Sequence, residues 1–121
     1  MLLEAKLDIG NGCQYDITDC EFELKQPDEG SLPVGSPLRF TITNDPDFTF
    51  IGWLTDGSLK NGSIVISDIK DTGKYTKTVT FENASCVSVR EHGNEREFTI
   101  CIILQAETLK FGSRGELTAN Q

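Results

Sequence analysis

Apolar and polar residues alternate with a period of two along most of the chain, and this feature constrains the fold more than any other. The longest example is REFTICIILQAETL at residues 96–109, where every second position from Phe98 to Ala106 is apolar. A period of two is typical of a β-strand, because successive side chains point to opposite faces. About seven or eight such segments are separated by turns such as Gly10–Gly12 and Asp71–Gly73. The sequence therefore predicts a mainly β fold.

Composition limits the class of protein. The chain has 121 residues and a formal net charge of −8, and 37% of its residues are hydrophobic. These values are typical of one globular domain, which we expect at residues 1–112, followed by a polar tail at 113–121. No apolar run reaches the ~18 residues of a membrane helix, so we expect no membrane insertion. The acidic balance repels phosphate backbones, which makes nucleic acid an unexpected partner.

One helix is expected among the strands, in NDPDFTFIGWLTDG at residues 44–57. Asn44 or Asp45 is placed to cap its start, and Gly57 is placed to end it in a left-handed conformation. The residues expected to form its apolar side are Phe48, Ile51, Trp53 and Leu54. A helix of about three turns is not stable alone in water, so we expect it to lie against the sheet.

The strand expected at residues 13–25 changes phase, because its first apolar residues occupy odd positions and the later ones even positions. A bulge near Thr18 and Asp19 would keep all of them on one face. The opposite face then carries an acidic stripe of Asp19, Glu21 and Glu23. The stripe is either a solvated face or a surface that faces a partner or a channel.

A second irregular feature is QPDEGSLPVGSP at residues 26–37, which we call the arm. Its three prolines exclude helix and central strand alike. Leu32 and Val34 are apolar residues of the arm without an obvious place in a core. The arm therefore either folds back onto its own barrel or docks on another subunit.

The residue types needed for catalysis are sparse. His92 is the only histidine, in an expected turn beside Glu91, where a solvated side chain is the usual case. The four cysteines lack metal-ligand spacing, and we expect them to be buried free thiols. The glycines occupy turns and form no phosphate-binding loop. We therefore expect no enzyme activity and no catalytic, cofactor or metal residues.

The order of elements resembles that of the type VI secretion tube proteins of the Hcp (TssD) family, in particular the form found in Bacteroidota. The segments that carry the resemblance are EAKLDIGNGCQYDITDCEFELKQ, EGSLPVGSPLRFTIT, DFTFIGWL, NGSIVI, VTFENASCVSV and FTICIILQAETLKFGS. The resemblance implies a small β-barrel of two packed antiparallel sheets with one short flanking helix. It also implies six copies in a ring, rings stacked into a tube, and partners that include a contractile sheath, spike proteins and secreted effectors.

The resemblance also assigns residues and a location. The subunit interface expected from it comprises Ser31, Leu32, Pro33, Val34, Phe50 and Trp53. The acidic stripe is expected on the lumen or the outer face of the ring. The protein is expected in the cytoplasm and then outside the cell, exported without a signal peptide.

Two alternatives remain open, a monomeric ligand-binding barrel and an effector carrier that no longer builds tubes. A ligand-binding barrel needs a hollow interior, whereas the residues expected to point inward are bulky: Phe22, Phe40, Phe81 and Phe98.

Overall fold

The computed structural model describes residues 3–22, 37–68, 76–112 and 116–119. These residues form seven strands and one helix, which confirms the predicted mainly β fold. In chain order the elements are β1 (Leu3–Asp8), β2 (Gln14–Phe22), β3 (Leu38–Ile42), α1 (Thr49–Asp56), β4 (Lys60–Asp68), β5 (Thr76–Gly93), β6 (Phe98–Gly112) and β7 (Glu116–Ala119).

The strands close into an antiparallel barrel. Their order is β3-β2-β1-β4-β5-β6-β7, and an additional pairing of β3 with β6 closes the first six into a ring of strands. β3 pairs with residues 100–104 of β6, and β7 pairs with residues 109–112 of the same strand. The segment expected to be a polar tail thus contains a strand, because β6 extends beyond β3 and offers β7 free backbone groups.

Irregularities interrupt the pairing of two long strands. β2 shifts register between Ile17 and Asp19, which confirms the predicted bulge. β5 shifts register between Cys86 and Ser88, and Asn83 has a positive φ of 52°. The sequence predicts two strands in this region, but one strand of 18 residues runs through both irregularities. It stays continuous because β6 pairs with it on both sides of the shift.

Bulky side chains fill the barrel. The largest fully buried ones are Trp53, Phe50, Phe81, Leu7, Leu38, Ile42, Ile64, Ile102, Leu104, Leu109 and Val79. Phe40 is also buried, and Phe22 packs against the core with its ring 5.4 Å from that of Phe111. The expectation that Phe98 points into the core is wrong, since this side chain is 60% exposed at the end of the barrel.

The helix is shorter than predicted and begins differently. Neither Asn44 nor Asp45 is the N-cap residue; that position is taken by Phe48, in the left-handed conformation with φ 54°. Asp45 nevertheless stabilises the first turn, because its Oδ2 accepts a hydrogen bond from the Phe50 N–H at 3.1 Å. The predicted C-terminal cap is confirmed: Gly57 has φ 69°, and its N–H donates to the Trp53 carbonyl.

The buried face of the helix also differs from the prediction. Phe50 and Trp53 are 0% and 1% exposed, whereas Phe48 is 63% and Leu54 is 37% exposed. The Phe50 ring lies edge-on to Tyr15 at 5.2 Å, and the Trp53 Nε1–H donates to the Ser58 carbonyl at 2.8 Å. Phe50 and Trp53, which are three residues apart, therefore set the orientation of the helix.

Candidate assembly surfaces

In one layer of the barrel, the two outermost strand segments are paired on one side only among the described strands. It consists of Thr18–Phe22 in β2, all of β3, Phe98–Leu104 in β6 and Ser85–Gly93 in β5, and we call it the front sheet. Its inner face carries core residues such as Phe40 and Ile102, which are directly paired.

The register of the front sheet places its outer-face side chains in rows across the four strands. One row contains Glu21, Arg39, Ile103 and Ser88. The next row contains Asp19, Thr41, Cys101 and Arg90. Carboxylates thus lie on β2, Arg39 lies on the adjacent β3 opposite Glu21, and Arg90 lies on β5 at the other side of the sheet.

The structure places two of the three predicted acidic residues on this outer face. Asp19 and Glu21 are both exposed, and within the described ranges neither makes an ion pair. Glu23 lies outside the described residues. The solvated stripe predicted from the phase of β2 therefore exists at two positions, and it continues into the charge pattern of the whole sheet.

Both outermost segments of the front sheet present unpaired strand edges. The last β1 partner of β2 is Ile17, so no described strand pairs with Thr18–Phe22 on the side opposite β3. The last β4 partner of β5 is Ala84, and residues 85–93 pair only with β6 among the described strands. Unpaired strand edges are templates for pairing with another chain.

The helix covers only the start of the open β5 edge. The Cys86 thiol lies 3.7 Å from the Phe50 carbonyl and donates to it, which holds α1 against this part of β5. Val87 on the same segment is 50% exposed. The helix leaves the outer face of β6 uncovered as well, since Cys101 is exposed and Ile103 is only half-buried.

The predicted interface residues fall into two groups. Ser31, Leu32, Pro33 and Val34 lie outside the described residues. Phe50 and Trp53 pack inside the chain, so their side chains offer no surface to a neighbouring subunit, and their assignment to an interface is corrected here. Sequence reasoning missed Arg39 and Arg90, although their parity in β3 and β5 places them opposite the core residues.

The cysteines are free, but only Cys86 is buried; Cys13 and Cys101 are exposed, contrary to the expectation of four buried thiols. Burial raises the pKa of the Cys86 thiol. Burial also raises the pKa of Cys20, and the neighbouring Asp19 carboxylate adds to that effect. Within residues 3–22, 37–68, 76–112 and 116–119, no group of three or more His, Cys, Asp or Glu side chains is arranged to hold a metal ion.

A groove of about 650 Å³ lies at one end of the front sheet, between the chain before α1 and the β5–β6 hairpin. Its lining includes Phe48 and Phe98, the two most exposed phenylalanine rings. His92, in the same hairpin, is exposed to solvent. In the part of the chain that the structure describes, no helix has the length and apolar character needed to cross a membrane.

Comparison with known proteins agrees with this geometry. The family model described as hemolysin coregulated protein Hcp (TssD) matches residues 1–120. The fold is similar to that of Hcp1 from Flavobacterium johnsoniae, with a TM-score of 0.77 and 19% identity over 94% of this chain and 98% of that chain. It is also similar to Hcp1 from Salmonella typhimurium, with a TM-score of 0.81 and 13% identity over 98% of this chain and 93% of that chain.

A third similar structure is a type VI secretion system effector from Yersinia pestis, with a TM-score of 0.76 and 14% identity over 97% of this chain and 98% of that chain. No curated protein matches the chain. The identities to the solved structures are low, so they establish the fold, whereas the family model covers nearly the whole sequence. The chain belongs to the hemolysin coregulated protein (Hcp, TssD) family.

Proposed function

We propose that the protein is a structural subunit of the type VI secretion inner tube, in which six copies form a ring and rings stack. Membership of the Hcp (TssD) family supports this role. The structural observation that carries it is the pair of open strand edges on the front sheet, at Thr18–Phe22 and at residues 85–93.

The two edges belong to different strands, so pairing them between copies gives a head-to-tail contact. Such a contact closes into a ring when the rotation between copies closes. Each copy then satisfies the backbone groups of both its edges, and the front sheets join into one continuous sheet. A closed ring also removes the exposed edges that otherwise invite uncontrolled pairing.

The charges on the outer face suit this arrangement. Asp19 and Glu21 lie beside the β2 edge, and Arg90 lies on the β5 edge. Joining the β2 edge of one copy to the β5 edge of the next brings carboxylates toward a guanidinium group. Complementary charge of this kind mainly fixes register and suppresses wrong pairings. Asp19, Glu21 and Glu23 then remain in solvent on the lumen or the outer face of the ring.

Further parts of the proposal rest on the family and on the sequence. The arm, with Ser31, Leu32, Pro33 and Val34, grips a neighbouring subunit or the adjacent ring. The sheath, the spike proteins and secreted effectors are the partners, and the subunit acts by assembly and not by catalysis. The protein is made in the cytoplasm and leaves the cell by the secretion machinery.

Reversing the charges at the edges tests the proposal. We expect Arg90→Glu to shift the protein from rings toward single subunits in analytical ultracentrifugation, and Asp19→Lys with Glu21→Lys to do the same. Combining all three changes restores complementarity and should recover rings. Glu107→Lys is the matched control, because Glu107 is exposed in β6 between residues that pair with Glu82 and Ala84, outside both open segments. Unchanged ring populations in both edge variants would contradict the proposed pairing.

Of the alternatives, the ligand-binding barrel is disfavoured because large side chains fill the interior, with Phe40 at 3% and Phe81 at 0% exposure. An effector carrier is the second candidate, since a similar structure is that of a type VI secretion system effector. A carrier that does not build tubes would be exported normally and yet give no stacked rings.

A further inference from the structure

The groove at the end of the front sheet has features that ring assembly does not use. It lies between residues 43–48 and the β5–β6 hairpin, and its volume is about 650 Å³. We call it the aromatic groove. Its volume is within the range of sites that bind small ligands or peptide side chains. The groove is formed within one chain, and it shares only Glu91 with the β5 edge that the proposed ring uses.

Two phenyl rings are held open to solvent at the groove. Phe48 is 63% exposed and Phe98 is 60% exposed. Phe48 is fixed by its left-handed backbone and by the hydrogen bond that its N–H donates to the Asp45 carbonyl at 3.3 Å. Phe98 lies over Gly93, where an added Cβ would be 2.4 Å from its Cε1. The chain therefore positions both rings instead of burying them.

The charges around these rings are unbalanced. The carboxylates that line the groove are Asp45, Glu91, Glu95 and Glu97, and Arg96 is the cationic side chain of the lining. Within the described ranges none of these five groups makes an ion pair. A bound cation would find carboxylates without competing partners.

Asp45 contributes charge to the groove through a carboxylate that is fixed to the helix. Its Oδ2 accepts a hydrogen bond from the Phe50 N–H, but its Oδ1 is buried and has no hydrogen-bond partner in the described part of the chain. Because Oδ1 is buried, an incoming donor cannot reach it, and Asp45 contributes only the charge of its carboxylate to the groove.

We propose that the aromatic groove binds a peptide segment of another protein in which lysine or arginine stands beside an apolar residue. The cationic head meets the carboxylates, while the aliphatic stem and the apolar neighbour pack on the rings of Phe48 and Phe98. A second copy of this chain is an outcome that the native mass measurement below detects, whereas the four groove carboxylates favour a cationic segment. An acidic peptide is excluded by the same charges.

The test uses the full chain and a fluorescein-labelled synthetic peptide of alternating lysine and leucine, with a glutamate–leucine peptide for comparison. Fluorescence anisotropy should show binding of the lysine peptide alone, weakened by added salt. Glu95→Gln combined with Glu97→Gln should weaken binding by about tenfold, and Phe98→Ala by a similar factor. The matched controls are Glu4→Gln for the charges and Leu59→Ala for the exposed apolar side chain, since Leu59 is 61% exposed outside the groove and both edges; both should stay within about twofold of the unsubstituted protein.

Localisation completes the test. In NMR spectra, the changes in backbone amide chemical shift caused by the lysine peptide should be largest at residues 43–48 and 91–100. The inference is overturned by absence of binding, by equal binding of the glutamate peptide, or by control variants that lose as much affinity as the groove variants. Native mass measured on the same samples separates peptide binding from ring assembly, and a groove variant that changes only self-association also overturns the inference.

Discussion

Replacing Gly62 by alanine tests whether β4 holds this residue in close contact with β1 and with Phe81, as the structure indicates. Gly62 pairs with Phe81 across the β4–β5 ladder. A Cβ added at Gly62 would lie 2.4 Å from the Asp8 carbonyl oxygen and 2.5 Å from Phe81 Cζ. Optimal contacts between heavy atoms are about 3.5–4.0 Å, so either the β1 backbone or the Phe81 ring must move by about 1 Å.

Neither neighbour of Gly62 can move freely. The Asp8 carbonyl belongs to a strand paired on both sides, and Phe81 is fully buried. Overpacking of this kind costs about 1–3 kcal/mol of the free energy of unfolding. For a domain of this size each kcal/mol lowers Tm by about 4 °C, so we expect a decrease of about 4–12 °C.

Gly52→Ala is the matched control for the same chemical change. Gly52 lies inside α1, and no heavy atom is found within 4 Å of an added Cβ. Alanine is favoured over glycine in a helix by roughly 0.5–1 kcal/mol, so this variant should be more stable. The two variants should therefore shift stability in opposite directions.

Trp53 makes the measurement direct, because it is the only tryptophan of the sequence and is 1% exposed. Its fluorescence during urea unfolding reports the global transition, and equal protein concentrations keep the contribution of self-association the same. A Gly62→Ala variant as stable as the unsubstituted protein would refute the close approach. So would a shift of both variants in the same direction.

Two further predictions concern titratable groups. Because Cys86 is buried with a raised pKa, it should react with a thiol reagent only when the protein unfolds, whereas Cys13 and Cys101 should react in the folded state; mass spectrometry of labelled peptides distinguishes them, and early labelling of Cys86 would contradict the structure. The Ser58 N–H, 2.7 Å from the Asp56 carboxylate, lowers the pKa of Asp56. The ionised Asp56 therefore stabilises the fold above the ordinary aspartate pKa, and this stabilisation is lost as the pH falls through the lowered pKa of Asp56 in the folded state. Asp56→Asn should reduce the acid dependence of the urea midpoint in that window, and an unchanged dependence would count against this role.

Much of the fold could be predicted from local patterns. The period of two located the strands, and the change of parity in β2 located its bulge between Ile17 and Asp19. The continuity of β5 could not be predicted in this way, because a strand that turns at Asn83 and shifts after Cys86 looks like two strands in sequence. Only the partner strand β6 determines that the two halves are one.

The helix and the groove show why side-chain environment was harder to predict. The helix sequence offers two apolar sides, and the tertiary packing of Phe50 and Trp53 leaves the other side, with Phe48, exposed. Phe98 has the parity of the core residues of β6, but it lies beyond the end of the barrel. Alternation gives the face of a strand on which a residue lies, and it does not give the length of strand that the partner layer covers.

The central claim is that copies of this barrel join through the open edges of the front sheet into closed rings. Electron microscopy of the purified chain, with native mass measured on the same sample, tests it most directly. We predict ring-shaped particles with six-fold symmetry and a mass of six chains. Single particles with the mass of one chain at every protein concentration would contradict the claim.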